Sequence, residues 1–319
     1  MSEAEIFDLI IVGGGPGGLT AGLYAMRAAL KTLLIEKALP GGQINLTESV
    51  ENYPGFENIS GFDLSQKFAQ HAQSYGLEVR QEEVAAVDPG LDFHTVRLAT
   101  GEALATHAVI LATGGSPRKL NVPGEMDYYG KGVSYCATCD GFFFRDKTVV
   151  VVGGGDTALE ESLYLAKITR QVYLAHRRDA FRASRILQQR VMAEPKIDVL
   201  WNTIVIEIKA NDQGVAAVAL RDTQTQESRE LATDGVFIFI GFVPNNKLVP
   251  AGIRMDHDGY VVTDEKCETN MSGIFVIGDL RQKYAKQIIL AAADGCTAAL
   301  AAALCVELKK AGQACLVQT

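Results

Sequence analysis

Cysteine is scarce in this chain. There are six in 319 residues, and four of them, Cys267, Cys296, Cys305 and Cys315, are widely spaced. That excludes a small domain stapled by disulfides, and those four are expected to be ordinary buried or surface thiols. The five histidines are scattered, with no His/Glu pair at metalloenzyme spacing, so no metal site is expected. Basic residues are also in the minority, 30 against 38 acidic, for a net charge of -8. Nucleic acid and anionic membrane surfaces need a basic footprint, so neither is an expected partner. No apolar run approaches the roughly 18 residues of a membrane span. The start, Met1-Ser2-Glu3-Ala4-Glu5, is acidic, unlike the basic opening of a secretory signal. A cytoplasmic location is therefore expected, where thiols are mostly kept reduced and a disulfide is more often catalytic than structural. Low-complexity tracts are absent, and the length suits two domains, each with its own core.

What the chain does have is glycine, 31 in all, placed in two corresponding turns. The apolar run Ile6 to Val12 suits a buried parallel strand, and it breaks into Gly13-Gly14-Gly15-Pro16-Gly17-Gly18 before a helical pattern over Leu19 to Ala29. The next strand, Thr32 to Ile35, leads into Glu36, eighteen residues past the last glycine. A carboxylate there accepts hydrogen bonds from an adenosine ribose. Gly13, Gly15 and Gly18 permit the tight turn, the close approach of a pyrophosphate and the packing of helix on strand. A lone Gly-x-Gly-x-x-Gly would say little; strand, turn, helix and acid together point to a dinucleotide.

The unit recurs 140 positions on. Thr148 to Val152 runs into Gly153-Gly154-Gly155-Asp156-Thr157, followed by a helical pattern over Leu159 to Ile168 and a strand over Gln171 to Ala175. The position equivalent to Glu36 is His176, followed by Arg177 and Arg178, with Arg182 and Arg185 close behind. A carboxylate would repel a 2′-phosphate, whereas guanidinium groups grip one, so the second site is expected to prefer NADPH.

Later segments complete each unit. Ala108 to Ala112 reads as a buried strand ending in Thr113-Gly114, and Gly273 to Ile277 as another ending in Gly278-Asp279. A carboxylate at such a strand end reaches the hydroxyls of a flavin ribityl chain, and a helix from about Gln287 would aim its N-terminus at the ring. Val236 to Ile240, ending at Gly241, closes the second unit. The expected fold class is thus α/β, two Rossmann-like dinucleotide-binding domains with the second inserted into the first. Residues 1–117 and 246–319 are read as the FAD-binding domain and 118–245 as the NADPH-binding domain.

The inserted unit carries Cys136-Ala137-Thr138-Cys139-Asp140. Two cysteines separated by two residues close a small reducible disulfide, and the head of a helix favours their thiolates. Alone the pattern is ambiguous among a redox pair, half of a zinc site and chance. Between two nucleotide signatures, it reads as a redox relay.

In this setting the chain resembles the low-molecular-weight, FAD-containing thioredoxin reductases. The matching motifs are GGGPGG, GGQI at Gly41 to Ile44, ENYPG at Glu51 to Gly55, CATCDG at Cys136 to Gly141, GGGDTALEE at Gly153 to Glu161, HRRDAFRAS at His176 to Ser184 and GIFVIGD at Gly273 to Asp279. The resemblance implies FAD in the first unit and NADPH in the inserted one, electrons passing through the Cys136-Cys139 disulfide to thioredoxin, a homodimer, and an inserted domain that swings between two orientations. It assigns Cys139 to the flavin side, Cys136 to interchange with the protein substrate and Asp140 to general acid. The expected cofactor contacts are Gly13, Gly15, Pro16, Gly18, Glu36, Lys37, Gly42, Gln43, Asn52, Thr113, Gly114, Gly278, Asp279, Lys286, Gln287 and Ile288 in the first domain. In the second they are Gly153, Gly155, Asp156, Thr157, His176, Arg177, Arg178, Arg182 and Gly241. The stretch Leu280 to Gln287 departs from the family, whose members commonly end it in Tyr-Arg-Gln. Rival readings are a small-molecule dithiol oxidase, which has no use for the arginine cluster, a peroxiredoxin-reducing subunit, which needs a further thioredoxin-like domain, and a nucleotide-responsive redox sensor.

Overall fold

A computed structural model describes residues 6–46, 50, 53–212, 214–313 and 315, leaving aside the side chains of Leu46, Thr138 and Cys139. Strand β1 (Ile6–Val12) is buried at every position but its first, as a strand covered on both faces must be. Helix α1 (Pro16–Arg27) begins at a proline, whose missing N–H and fixed φ suit a first helical turn. Then come β2 (Thr32–Glu36) and α2 (Gly61–Ser74), the latter capped by Ser60 Oγ accepting the Asp63 N–H at 3.0 Å. Four strands follow: β3 (Glu78–Gln81), β4 (Val84–Asp88), β5 (His94–Leu98) and β6 (Ala103–Leu111). The chain leaves this unit along β7 (Gly115–Pro117).

The second unit starts with β8 (Val133–Ser134), the single turn α3 (Ala137–Asp140), β9 (Thr148–Gly153), α4 (Asp156–Ile168), β10 (Gln171–Ala175), α5 (Arg185–Ala193) and β11 (Ile197–Leu200). An antiparallel ribbon of β12 (Thr203–Asn211), β13 (Gly214–Asp222) and β14 (Ser228–Ala232) follows, then β15 (Gly235–Phe239). The chain returns along β16 (Phe242–Pro244), which pairs with β7, to β17 (Ile274–Val276) and α6 (Ile288–Lys310). The two compact units are Met1–Ser116 with Val243–Thr319, and Pro117–Phe242.

Unit one is built on the sheet order β3-β2-β1-β6-β5-β4, with β17 also on β6. Strands β3, β2, β1, β6 and β17 run parallel, while β4, β5 and β6 are antiparallel neighbours. In unit two the order β11-β10-β9-β15-β8 is parallel throughout. Both sheets are thus wound outward from a central strand, β1 or β9, that feeds a glycine turn and a helix. Brought together, the C-terminal strand ends form a crevice in each unit.

Helix α6 corrects one expectation. By length and composition it is apolar enough to cross a membrane, the one such helix among the described residues. Its composition answers to packing instead. A Cβ on Gly17 would lie 3.0 Å from the Ala291 carbonyl oxygen, and one on Gly295 would strike the Gly17 carbonyl. Helices α1 and α6 therefore touch backbone to backbone, and Ala298, Ala299 and Ala302 are buried in the same core as Leu19 and Ala21. A run of alanines is what such a close approach requires.

Candidate functional site

In unit one the glycine loop is held from three sides. Gly13 sits at φ +110°, which only glycine adopts without strain, and a Cβ on Gly18 would collide with the Gly13 carbonyl. Glu36 closes the loop from below: Oε2 accepts the Gly14 N–H at 2.6 Å and Oε1 the Ala38 N–H at 2.9 Å. The Gly41 N–H donates to the Gly14 carbonyl at 2.7 Å, so the Gly41–Gly42 turn lies on the first loop. Gln43 then donates from Nε2 to the Gly115 carbonyl. Above Gly15 nothing stands within 4 Å of where a Cβ would be, and α1 starts there with no side-chain cap. Uncapped N–H groups at a helix start facing open space form a cradle for a pyrophosphate, worth roughly 0.3–1 kcal/mol per charge at an exposed site. The residues therefore fit a dinucleotide. Lys37 is exposed beside Glu36. Asn52 lies outside the described residues.

The same crevice is floored by the strand ends. Thr113 Oγ1 donates to the Asn245 carbonyl, Asn245 Nδ2 returns a bond to the Thr113 carbonyl, both at 2.8 Å, and the Asn245 N–H reaches the Gly114 carbonyl. Past β17, Gly278 and Asp279 form a tight turn held by Asp294 of α6, a residue that sequence reasoning missed. Asp294 accepts from the Gly278 N–H at 3.0 Å, Arg281 at 2.9 Å and Lys283 at 3.1 Å. Arg281 and Lys283 of the stretch Leu280 to Gln287 thus share one carboxylate, that of Asp294. Burial raises the Asp279 pKa, with Lys283 and Lys286 pulling it back down. Lys286 rests over the Tyr260 ring at 4.1 Å, and Gln287 and Ile288 open α6 without a side-chain cap.

In unit two Gly155 repeats the role of Gly15: open space above it, no side-chain cap on α4. Asp156 Oδ1 accepts the Ser184 N–H at 2.6 Å, tying the loop to the segment after β10, and the Arg182 N–H donates to the Gly154 carbonyl at 2.9 Å. Thr157 is exposed on the first turn of α4. His176 faces inward. It is 6% exposed, with Nδ1 2.9 Å from the Gly153 carbonyl and Nε2 3.0 Å from that of Ala180, and its ring lies under Gly154. It braces the turn from beneath. Arg177, Arg178 and Arg182 are exposed, and among the described residues none has an acidic partner. Gly241 follows β15, its carbonyl accepting the Arg118 N–H at 3.0 Å.

Cys136 is half-buried and disulfide-bonded. It caps α3, but α3 is one turn long, so the field expected from a helix is small. Ser134 holds it instead. The Cys136 N–H donates to Ser134 Oγ, and that hydroxyl lies 3.0 Å from the Cys136 carbonyl. Ser134 also bonds Asp140, lowering a carboxyl pKa that burial raises more strongly. Next along, Phe142 and Phe143 are 61% and 58% exposed, an apolar patch beside the dithiol that sequence reasoning overlooked although FFF follows the motif directly.

Residues 7–295 match the pyridine nucleotide-disulphide oxidoreductase family. The thioredoxin reductase of Bacillus subtilis is 47% identical over 94% of each chain, and that of Treponema pallidum 46% identical over 93% of this chain and 96% of its own. The chain belongs to the thioredoxin reductases. The solved Lactococcus lactis thioredoxin reductase is similar in fold as well, with a TM-score of 0.77, 42% identity, and coverage of 94% of this chain and 99% of that one. The chain is therefore a flavoprotein disulfide reductase, of a family that binds FAD and uses NADPH.

Proposed function

We propose that the chain is an NADPH-dependent reductase of thioredoxin, working in the cytoplasm as a homodimer. Residues 1–117 and 246–319 hold FAD, and 118–245 hold NADPH and the redox pair. The observation that carries this reading is the sharing of Ser134 by a disulfide-bonded Cys136 and the half-buried Asp140 carboxyl, in a unit whose nucleotide turn is flanked by arginines that have no acidic partner among the described residues. Exposed Leu300 and Leu304 on α6 support self-association.

Bound FAD supplies the two-electron exchange between a nicotinamide hydride and a disulfide. The chain's residues do the rest. In the first domain the uncapped start of α1 and the Glu36 carboxylate would hold pyrophosphate and ribose, and Asp279 the ribityl hydroxyls. In the dithiol state the Cys136 thiolate attacks the partner's disulfide, forming a mixed disulfide and releasing one partner thiolate. Asp140, kept protonated to higher pH by burial, donates that thiolate its proton. Cys139 then attacks Cys136 Sγ, re-forming the enzyme disulfide and freeing the second partner sulfur.

Consumption of NADPH that depends on added thioredoxin tests the function directly. Two further outcomes are expected. Denatured protein releases FAD, about one per chain, and Gly18→Val releases none, because its side chain would displace the Gly13 carbonyl; recovery of FMN would sink the assignment of unit one. Phe142→Ser with Phe143→Ser raises KM for thioredoxin about tenfold, since burying one such ring against a partner contributes roughly 1.5–3 kcal/mol. Their reduction by NADPH stays normal. An unchanged KM would place the partner elsewhere.

A further inference from the structure

The second disulfide of this chain lies far along the sequence from the first. Cys305 lies in the last turn and a half of α6 and is 2% exposed, and Cys315, half-buried, is bonded to it with the Cα atoms 5.1 Å apart. This corrects the expectation that both are ordinary thiols. Between them the chain turns back on the helix: the Ala311 N–H donates to the Glu307 carbonyl and the Gln313 N–H to that of Leu308. Ser272 Oγ donates to the Cys315 carbonyl at 2.6 Å, and Cys315 packs against the core shared by α1 and α6. A third group completes the cluster. The Glu268 carboxyl is 7% exposed, accepts the Gly273 N–H, and lies 3.6 Å from Cys315 Sγ and within 4.8 Å of both sulfurs.

We propose that Cys305–Cys315 is a second redox-active disulfide, a latch opened by dithiols that fixes the segment after α6 to the helix, with Glu268 as its proton donor. A dithiol, whether a protein or a small molecule, attacks at Cys315, the less buried sulfur. A bond forms between Cys315 Sγ and the reductant, the Cys305–Cys315 bond breaks, and the electron pair leaves on Cys305 Sγ. A thiolate buried in an apolar core is a poor leaving group unless a proton meets it, and the Glu268 carboxyl is the nearest source. Burial keeps that carboxyl protonated to higher pH, which suits it to the task. The reductant's second thiolate then attacks its own sulfur and closes its disulfide. Cys315 leaves and takes up the other proton. Two electrons and two protons thus pass from the dithiol to the latch, and Glu268 is reprotonated from water. Cys267 stands by contrast: it is buried and forms no disulfide, its sulfur accepts from Arg281 Nη1 at 3.1 Å, and burial pushes its pKa up to about 12.

The full-length FAD-loaded protein is equilibrated in buffers of reduced and oxidised dithiothreitol, and free thiols are alkylated and located by mass spectrometry. Cys305 and Cys315 are expected to become labelled together in one two-electron transition while Cys267 stays unlabelled. Amide exchange over residues 308–315 rises about tenfold to hundredfold on reduction, the range that loss of a ten-residue loop closure allows. In Cys315→Ser that exchange is fast and indifferent to dithiol. Glu268→Gln slows opening several-fold at an unchanged midpoint, which a merely structural carboxyl would not do. Three results would overturn the proposal: labelling of both thiols in the oxidised protein, survival of the latch in buffers that fully reduce the Cys136 disulfide, or zinc co-purifying on Cys305 and Cys315. None of these readouts needs a nicotinamide or a thioredoxin, so the outcome is separate from the function proposed above.

Discussion

Cys136→Ser is expected to abolish thioredoxin reduction, by about a thousandfold or more, while NADPH still bleaches the bound FAD. A serine hydroxyl at neutral pH has almost no alkoxide to attack a disulfide, and loss of a reacting nucleophile costs this much or more in other enzymes. Cys139→Ser should be equally inactive but for a different reason. Cys136 remains, so it still attacks the partner, and the mixed disulfide then has no second enzyme thiol to resolve it. The check is covalent capture of a thioredoxin left with one cysteine, activated as a mixed disulfide with an aromatic thiol. Cys139→Ser should trap it in stoichiometric yield and Cys136→Ser should not. The reverse yields would exchange the roles of the two sulfurs. Full turnover in either variant would remove the pair from the reaction altogether.

Asp140→Asn belongs to the same argument. The environment of Asp140 raises its pKa, so the carboxyl form persists above the usual range and is lost as pH climbs through the raised value. The proton it donates is available on the acid side of that value only. On the proposed reading the proton for the leaving thiolate comes from a half-buried carboxyl and not from a helix field, because the helix at Cys136 is a single turn.

The parts of this molecule that were readable from the amino-acid string are those whose chemistry is local. A glycine turn after a buried strand has few alternatives, since the turn needs φ angles and close approaches that other residues refuse. Both units show it, at Gly13 and Gly18 and again around Gly153. Position counting from Glu36 also reached the end of the corresponding strand in the second unit, at His176. Counting fixes a place on a strand, not the direction of a ring, and only the packed structure shows His176 turned under Gly154 with the arginines left outside. Three features depended on partners distant in sequence. Asp294 serves Gly278 and Arg281 from another element, the apolar face of α6 is explained by Gly17 on α1, and Cys315 finds Cys305 only because the chain reverses after the helix. No spacing rule announces such meetings.

Arg177→Ala and Arg178→Ala are expected to weaken NADPH about tenfold to hundredfold each and to leave NADH within about twofold. A hydrogen bond to a charged group contributes roughly 1.5–3 kcal/mol, and only NADPH carries the 2′-phosphate that would accept it. Both arginines are exposed and without acidic partners among the described residues, so neither gives up an ion pair to bind phosphate, nor leaves a carboxylate stranded when removed. Exposure has a second consequence. The attraction is screened by salt, so the advantage of NADPH over NADH should shrink as ionic strength rises past the point where the Debye length is about 8 Å, and the variants should show less of that dependence. Measuring KM for both nucleotides at low and high salt separates this from a structural effect. An arginine that merely shaped the turn between β10 and α5 would, when removed, disturb the Asp156–Ser184 tie and weaken both nucleotides alike, at every ionic strength. Equal losses for NADPH and NADH would therefore remove the 2′-phosphate reading and leave the preference of the second site to be found elsewhere in the crevice.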